Sequence, residues 1–363
     1  MIAAHVYDAK IHESRFRQME PGLPEKYQAK EGLKELRNSH GSLMSDGFQA
    51  LSRGYMEGFL NKARKAGVKV QTVVEKGRNY VGLSRIAHRI KPGLTAMGAA
   101  GLGDTGDGML GSTATRLLRS LNCDLLIGRA ASPANGPVLT GIDGSEHAIS
   151  ALGKAMAFAE IIGAPLHLLA AYDPELHQRV FKTMADTMPP QAQAAVGMDR
   201  QQNLHESLID EGLGTLYKQF LDEAGETISG EKLSNQTHLV ADKGYRALVE
   251  KAAALGAGLI CLGRFGHNQE DESDIGATAE SVVRLARCHV HVSAPAWAVA
   301  STATPESDGM PWEPEALERL EKVPRFVRKM ARRSVERTAR DEGAERVTVK
   351  HLEKVSERFL KKG

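Results

Sequence analysis

An α/β architecture with two tandem parallel sheets and a small helical domain at the end follows from three features of the 363 residues. The chain repeats itself, apolar strand-like runs alternate with amphipathic helix-like runs, and composition changes after residue 310. The repeat is read from landmarks that recur at an offset of 165 residues, the interval between Tyr7 and Tyr172. His12 returns as His177, Gly98 as Gly263, Gly101 as Gly266, Gly111 as Gly276, Arg119 as Arg284 and Cys123 as Cys288. Lys76-Gly77 and Lys243-Gly244 match at 167, which implies small length changes that cancel.

The second copy, residues 137–298, gives the full alternation. Val138 to Asp143 reads as a buried strand, and Ser145 caps a helix to about Ile162 with Ile149, Leu152, Ala155, Met156 and Ala159 on one face. Leu166 to Ala171 is a second strand, followed by a polar excursion from about Glu175 to Asn203 and a helix over about Leu208 to Ala224. Strand Thr237 to Val240, helix Tyr245 to Leu255, strand Gly258 to Leu262, a glycine loop, helix Ala277 to Ala286 and strand Val290 to Ser293 complete it. Such alternation implies parallel strands joined by right-handed crossovers.

The first copy, residues 1–134, begins late. Met1 to Tyr7 matches the second strand of the other copy, so Pro137 to Gly163 has no counterpart. A helix around Gly47 to Lys65, strand Val68 to Val74, helix Val81 to Arg89, strand Leu94 to Met97, helix Ser112 to Leu121 and strand Asp124 to Ile127 then follow. The opening strand of a doubly wound sheet is central, so its absence leaves its two neighbours unpaired. Either the coding region starts upstream or a partner supplies the strand; a native product that starts at Met1 and folds as a monomer would exclude both.

Each copy carries a glycine loop after its fourth strand. Gly98 and Gly101 are followed after nine residues by Gly111-Ser112, and Gly263 and Gly266 after nine by Gly276-Ala277-Thr278. Glycines let main-chain amides approach phosphate oxygens, and the third leads into a helix N-terminus of favourable polarity. One such loop is an ordinary strand-to-helix turn as readily as a phosphate cradle; two with the same spacing favour the cradle.

This spacing, the strand ending Gly141-Ile142-Asp143-Gly144-Ser145 and the closing Cys288 to Pro295 resemble the universal stress protein family over about residues 1–134 and 137–298. The resemblance implies a flavodoxin-like, adenine-nucleotide-hydrolase-like parallel sheet and an adenine nucleotide (ATP, ADP or AMP, with Mg) as ligand. It places Asp143 beside the adenosine and Gly263, Gly266, Gly276 and Thr278 along the phosphates, with Gly98, Gly101, Gly111 and Ser112 as first-copy equivalents. Both copies depart from the family pattern. Ala277 stands where a hydroxyl residue is usual, and Glu270, Asp271, Glu272 and Asp274 would repel a triphosphate unless a divalent cation bridges them. The first copy lacks the strand that would carry its aspartate.

No catalytic constellation is legible, so the expected role is binding, with weak ATP hydrolysis at most. His267 reads as a solvated loop residue, while His289 and His291 share a strand face without the partners a metal site needs. No residues of the chain are expected to form a metal site of their own. Cys123, Cys261 and Cys288 form neither a zinc pattern nor a disulfide framework, which fits reducing cytoplasm. A net charge of +2 does not point to nucleic acid or a membrane as main partner, and no secretory or membrane-spanning run is legible. The two halves are expected to pack as an internal pseudo-dimer, with a homodimer as a further assembly.

Residues 299–310 read as a linker. Beyond it, residues 311–361 read as three short helices: Pro314 opens one from about Glu315 to Glu321, Pro324 another to Asp341, and Thr348 caps a third with Val349, Leu352, Val355, Phe359 and Leu360 in one stripe. Basic residues concentrate on the middle helix as Arg325, Arg328, Lys329, Arg332, Arg333, Arg337 and Arg340. The stretch from Pro311-Trp312-Glu313-Pro314 to Val347-Thr348 resembles the C-terminal domain of the light-independent protochlorophyllide reductase B subunit. That implies, as an alternative to a stress-response role, a tetrapyrrole- or redox-linked accessory protein whose tail binds the pigment or a protein partner while the α/β halves act as scaffold. A further alternative is nucleic-acid binding through the basic helix.

Overall fold

A computed structural model describes the chain apart from residues 9, 28–29, 102–108, 134, 196, 198–209, 229–232, 267–273, 295–309, 322–331, 333–334, 337, 341 and 361–363. The first half runs β1 (Ile2–Tyr7), α1 (Lys10–Met19), α2 (Lys30–Lys65), β2 (Gln71–Lys76), α3 (Asn79–Ile90), β3 (Leu94–Gly98), α4 (Ser112–Ser120) and β4 (Asp124–Gly128). The second runs β5 (Val138–Gly141), α5 (Glu146–Ile162), β6 (Leu166–Tyr172), α6 (Pro174–Thr187), α7 (Pro190–Ala195), α8 (Asp210–Ile228), β7 (Asn235–Ala241), α9 (Gly244–Leu255), β8 (Leu259–Leu262), α10 (Ala277–Leu285) and β9 (His289–Val292). Helices α11 (Pro314–Glu321) and α12 (Val349–Leu360) follow.

A seven-stranded sheet has the order β3-β4-β9-β8-β5-β6-β7, and β1 and β2 form a separate parallel pair. Pairs β8–β9, β5–β8, β5–β6 and β6–β7 are parallel, whereas β4 meets β9 antiparallel. The two tandem sheets expected from the repeat therefore do not stand apart: last strand pairs with last strand. Two compact units result. The first takes the described residues of 1–95, Gly101 and 110–121; the second takes those of 96–100, Met109 and 122–363.

Strand β5 is central in the second half, and Val138 and Leu139 are fully buried. One face of the sheet shares a core with α5 and α8 built from Leu152, Ala155, Ala159, Phe220, Leu221 and Ile228. Ser145 caps α5, its hydroxyl accepting the Ala148 amide at 3.1 Å.

Element boundaries correct the expected register in one respect. Strand β2 ends at Lys76 as β7 ends at Ala241, and α3 starts at Asn79 as α9 starts at Gly244, so the offset stays at 165 here too. Arg78 and Lys243 are the equivalent N-cap residues. The excursion after β6 is largely helical in its described part, because Pro174 and Pro190 each open a helix at a position where a missing N–H costs nothing. Helix α2 begins at Lys30, well before Gly47; its internal glycines interrupt the apolar pattern but meet no crowding neighbour.

In the C-terminal region Val335, Ala339 and Val347 form a small core with Trp312 and Leu352 packed on it. Trp312 pairs with Val347 in an isolated parallel bridge, and its indole N–H donates to Glu336 at 2.9 Å. The Thr348 amide donates to His351 Nδ1 at 2.9 Å, so His351 fills the position of the acid in a capping box. Arg332 is exposed, lies over the Trp312 ring and bonds Glu336 at 3.0 Å. Arg325, Arg328, Lys329, Arg333 and Arg337 of the expected basic helix lie outside the described residues. Among the described residues no helix is long and apolar enough to cross a membrane.

Candidate functional site

Neighbouring strands β5 and β8 lead into loops at their C-terminal ends, where the strand order reverses and a doubly wound sheet opens a crevice. Asp143 stands just beyond β5. Its Oδ1 accepts the Ser145 amide at 3.0 Å and the Ser145 hydroxyl at 2.6 Å, which fixes the carboxylate. Its Oδ2 faces the loop after β8: a Cβ placed on Gly266 would stand 2.9 Å from it. Gly263 serves a different contact, since a Cβ there would lie 2.7 Å from the His147 main chain; it lets β8 approach the first turn of α5. His147 stacks edge-on against Phe265 at 5.2 Å.

An aromatic wall borders this crevice. Burial, assisted by the negative charge of Asp143, raises the Tyr217 hydroxyl pKa. The Tyr217 ring lies 5.6 Å from Phe220 and 6.1 Å from Tyr172.

The glycine loop closes on itself through the Gly276 amide, which donates to the Arg264 carbonyl at 2.9 Å. Its amide is thereby committed. Gly276, the N-cap of α10, makes no side-chain cap bond to the first amides of the helix. The N-terminus of α9 lies alongside: a Cβ on Gly244 would sit 3.7 Å from the Thr278 hydroxyl. The Arg264 guanidinium is buried, held down in pKa by that burial against the pull of Cys123, Asp274 and Asp124. Glu270, Asp271, Glu272 and His267 lie outside the described residues.

In the first half, Gly111 caps α4 without a side-chain bond, its carbonyl accepting the Thr115 amide at 2.9 Å and hydroxyl at 3.1 Å. Ser112 opens the helix and Gly101 is uncrowded; both belong to the first unit with Gly111. Gly98 ends β3 in the second unit, where a Cβ would meet the Ala100 carbonyl at 3.2 Å.

The strand histidines are structural. His289 Nδ1 accepts the Arg129 amide at 3.0 Å. His291 is fully buried with Nε2 3.6 Å from Asp124 Oδ2 and its ring edge-on to Phe158. Asp124 also accepts the Ala294 amide at 2.8 Å and pairs with Lys154 at 3.0 Å. Burial pushes its carboxyl pKa up, but His291, the Ala294 amide and Lys154 outweigh it and bring it down to about 2. This cluster bridges β4 and β9 and carries no local sequence signal, because Asp124 and His291 belong to different halves. Among the described residues no group of three or more His, Cys, Asp or Glu side chains could hold a metal ion.

The family model described as the universal stress protein family matches residues 2–129 and 135–294. The chain belongs to the universal stress protein family. A second model, described as the proto-chlorophyllide reductase 57 kD subunit, matches residues 312–355 of this universal stress protein. The light-independent protochlorophyllide reductase B subunit from Chlorobium limicola is 39% identical over 89 residues, 24% of this chain. The chain spans 16% of that relative's length and 10% of its counterpart from Chlorobium phaeobacteroides. A putative universal stress protein from Pseudomonas aeruginosa is 18% identical, with a TM-score of 0.47, over 68% of this chain and 80% of its own. One from Archaeoglobus fulgidus is 18% identical, with a TM-score of 0.45, over 68% and 81%.

Proposed function

We propose that the second half of this universal stress protein binds an adenine nucleotide in the crevice between β5 and β8, as a regulatory ligand rather than the substrate of a dedicated reaction. The observation that carries this is the opposition of the fixed Asp143 carboxylate and Gly266 at the strand-order reversal. Asp143 would hold the nucleoside through the oxygen turned toward Gly266. Gly263 and Gly266 would shape the loop beneath it, and Gly276 would lead the Ala277 and Thr278 amides at the start of α10 to the phosphates. Mg would enter with the nucleotide to offset Asp274 and its acidic neighbours.

Acid extraction of the purified chain is expected to release an adenine nucleotide. Gly266→Val forces a side chain onto the Asp143 carboxylate and should lower retained nucleotide at least about tenfold, a loss of about 1.4 kcal/mol in binding. Undiminished nucleotide in a Gly266→Val/Gly111→Val double variant would overturn the assignment.

The match over residues 312–355 supports a second reading, in which the C-terminal module contacts a tetrapyrrole-handling enzyme or its pigment and the α/β halves act as scaffold. Pigment-dependent absorbance changes should then vanish when residues 308–363 are deleted.

A further inference from the structure

The near-neutral charge of the whole chain conceals a local separation that the duplication makes visible. Helices α3 and α4 with their caps, residues 78–91 and 112–121, carry Arg78, Arg85, Arg89, Lys91, Arg116 and Arg119 and neither Asp nor Glu. The equivalent stretches of the second half, residues 243–256 and 277–286, carry four basic residues, Lys243, Arg246, Lys251 and Arg284, and two acids, Glu250 and Glu280. At the 165-residue offset Arg85 stands in place of Glu250, Arg89 of Ala254, Lys91 of Gly256 and Arg116 of Ser281.

Helices α3 and α4 are neighbours in the first unit, and the Arg116 guanidinium lies 4.4 Å from the centre of the Tyr80 ring. Arg78, Lys91, Arg116 and Arg119 are exposed. Arg85 and Arg89 keep 62% and 56% of their side-chain surface in solvent while both bond Glu75, so two guanidiniums share one carboxylate and the trio stays positive. Lys91 holds its charge against local backbone preference. It takes φ of +50° at the C-cap of α3, where Gly256 takes +59° at the C-cap of α9, and it is the one non-glycine with positive φ among the described residues. This surface does not depend on the β5–α5 segment that has no counterpart in residues 1–134. In the second half Val138 joins the core shared by α5 and α8, whereas a Cβ on Gly141, on the other face of β5, would meet Leu248 of α9 at 3.3 Å. Helix α9, and α3 by the repeat, thus lies across the sheet from α5.

We propose that the outer face of α3 and α4 binds the phosphate backbone of a nucleic acid. Five of its six basic side chains are arginines, whose planar guanidinium gives a phosphate two parallel hydrogen bonds. Val81 is the one large apolar side chain exposed on these two helices among the described residues. The face therefore lacks the apolar centre of a protein interface and the apolar stripe that enters a membrane surface. Contacts to phosphates and not to bases make the recognition independent of sequence and sensitive to salt. This inference does not rest on the adenine-nucleotide reading.

The test is fluorescence anisotropy of a short labelled oligonucleotide of mixed sequence, titrated with the full chain at several salt concentrations. Affinity should fall linearly on a logarithmic salt scale. The variant Arg89→Ala/Lys91→Gly/Arg116→Ser, which installs the residues of the second half, should weaken binding at least about tenfold and lower the salt slope by about 2. Lys91→Gly alone relieves the left-handed backbone, so it should weaken binding while the urea midpoint stays level or rises, which separates binding from folding. Absence of binding, or equal affinity in the chain and the triple variant, would overturn the proposal. Polyglutamate that displaces the oligonucleotide at equal charge would also overturn it and make the partner an acidic protein, and preferential binding to anionic vesicles would do the same in favour of a lipid surface.

Discussion

Asp124 is the residue on which the junction of the two halves turns. It is buried, yet holds its charge because His291, the Ala294 amide and Lys154 all face it. Asp124→Ala removes the acceptor of a buried amide and leaves His291 without its carboxylate, so urea unfolding should show a loss of about 2–3 kcal/mol at pH 7. Its folded pKa lies below its unfolded value of about 3.9, so its contribution is complete above that value and is lost as pH falls toward about 2. The His167–His238 pair works with the opposite group at higher pH. The two rings stack with Nδ1 and Nε2 3.0 Å apart, and burial, then Lys251, depresses both pKa values. The unfolded chain then binds more protons, so stability is full above about pH 6.5 and declines as pH drops below it. His167→Gln should flatten this decline, measured as the difference in urea midpoint between pH 5 and pH 8.

Among the elements, the β5–α5 unit is the most legible in the sequence and the most demanding in structure. Ser145 caps α5 as its position predicts, and the strand and helix limits lie within two residues of expectation. Its turn needs Gly144, which has φ of +79° and lies under the Phe220 ring. Gly144→Ala combines backbone strain with a clash in the core and should cost about 2–4 kcal/mol in the unfolding free energy of the second half. Helix α2 is only half legible, because a helix with so many glycines and polar residues shows little amphipathic periodicity. The Gly276 amide shows a subtler limit. Its spacing suggests a phosphate loop, but its own N–H closes that loop on the Arg264 carbonyl, a bond that residue spacing does not reveal.

For the molecule as a whole, the two units should differ in local stability. The second has a continuous core around β5, whereas the first leaves Leu43, Leu51, Tyr55 and Phe59 exposed and, among the described residues, its sheet is two strands wide. Native-state hydrogen exchange should therefore find β1 and β2 amides opening at least about 100-fold more readily than those of β5 and β8. Equal protection in both would show that the first unit draws stability from packing beyond its described residues.

The 165-residue repeat, the strand–helix alternation and the glycine spacing are all legible from residue order, because each is a local pattern of side-chain type. The antiparallel β4–β9 junction, the Asp124–Lys154–His291 cluster and the aromatic wall beside Asp143 are not. These depend on which strand edges meet and which charges are buried together, and such contacts are set by the energy of excluding water between segments far apart in the chain.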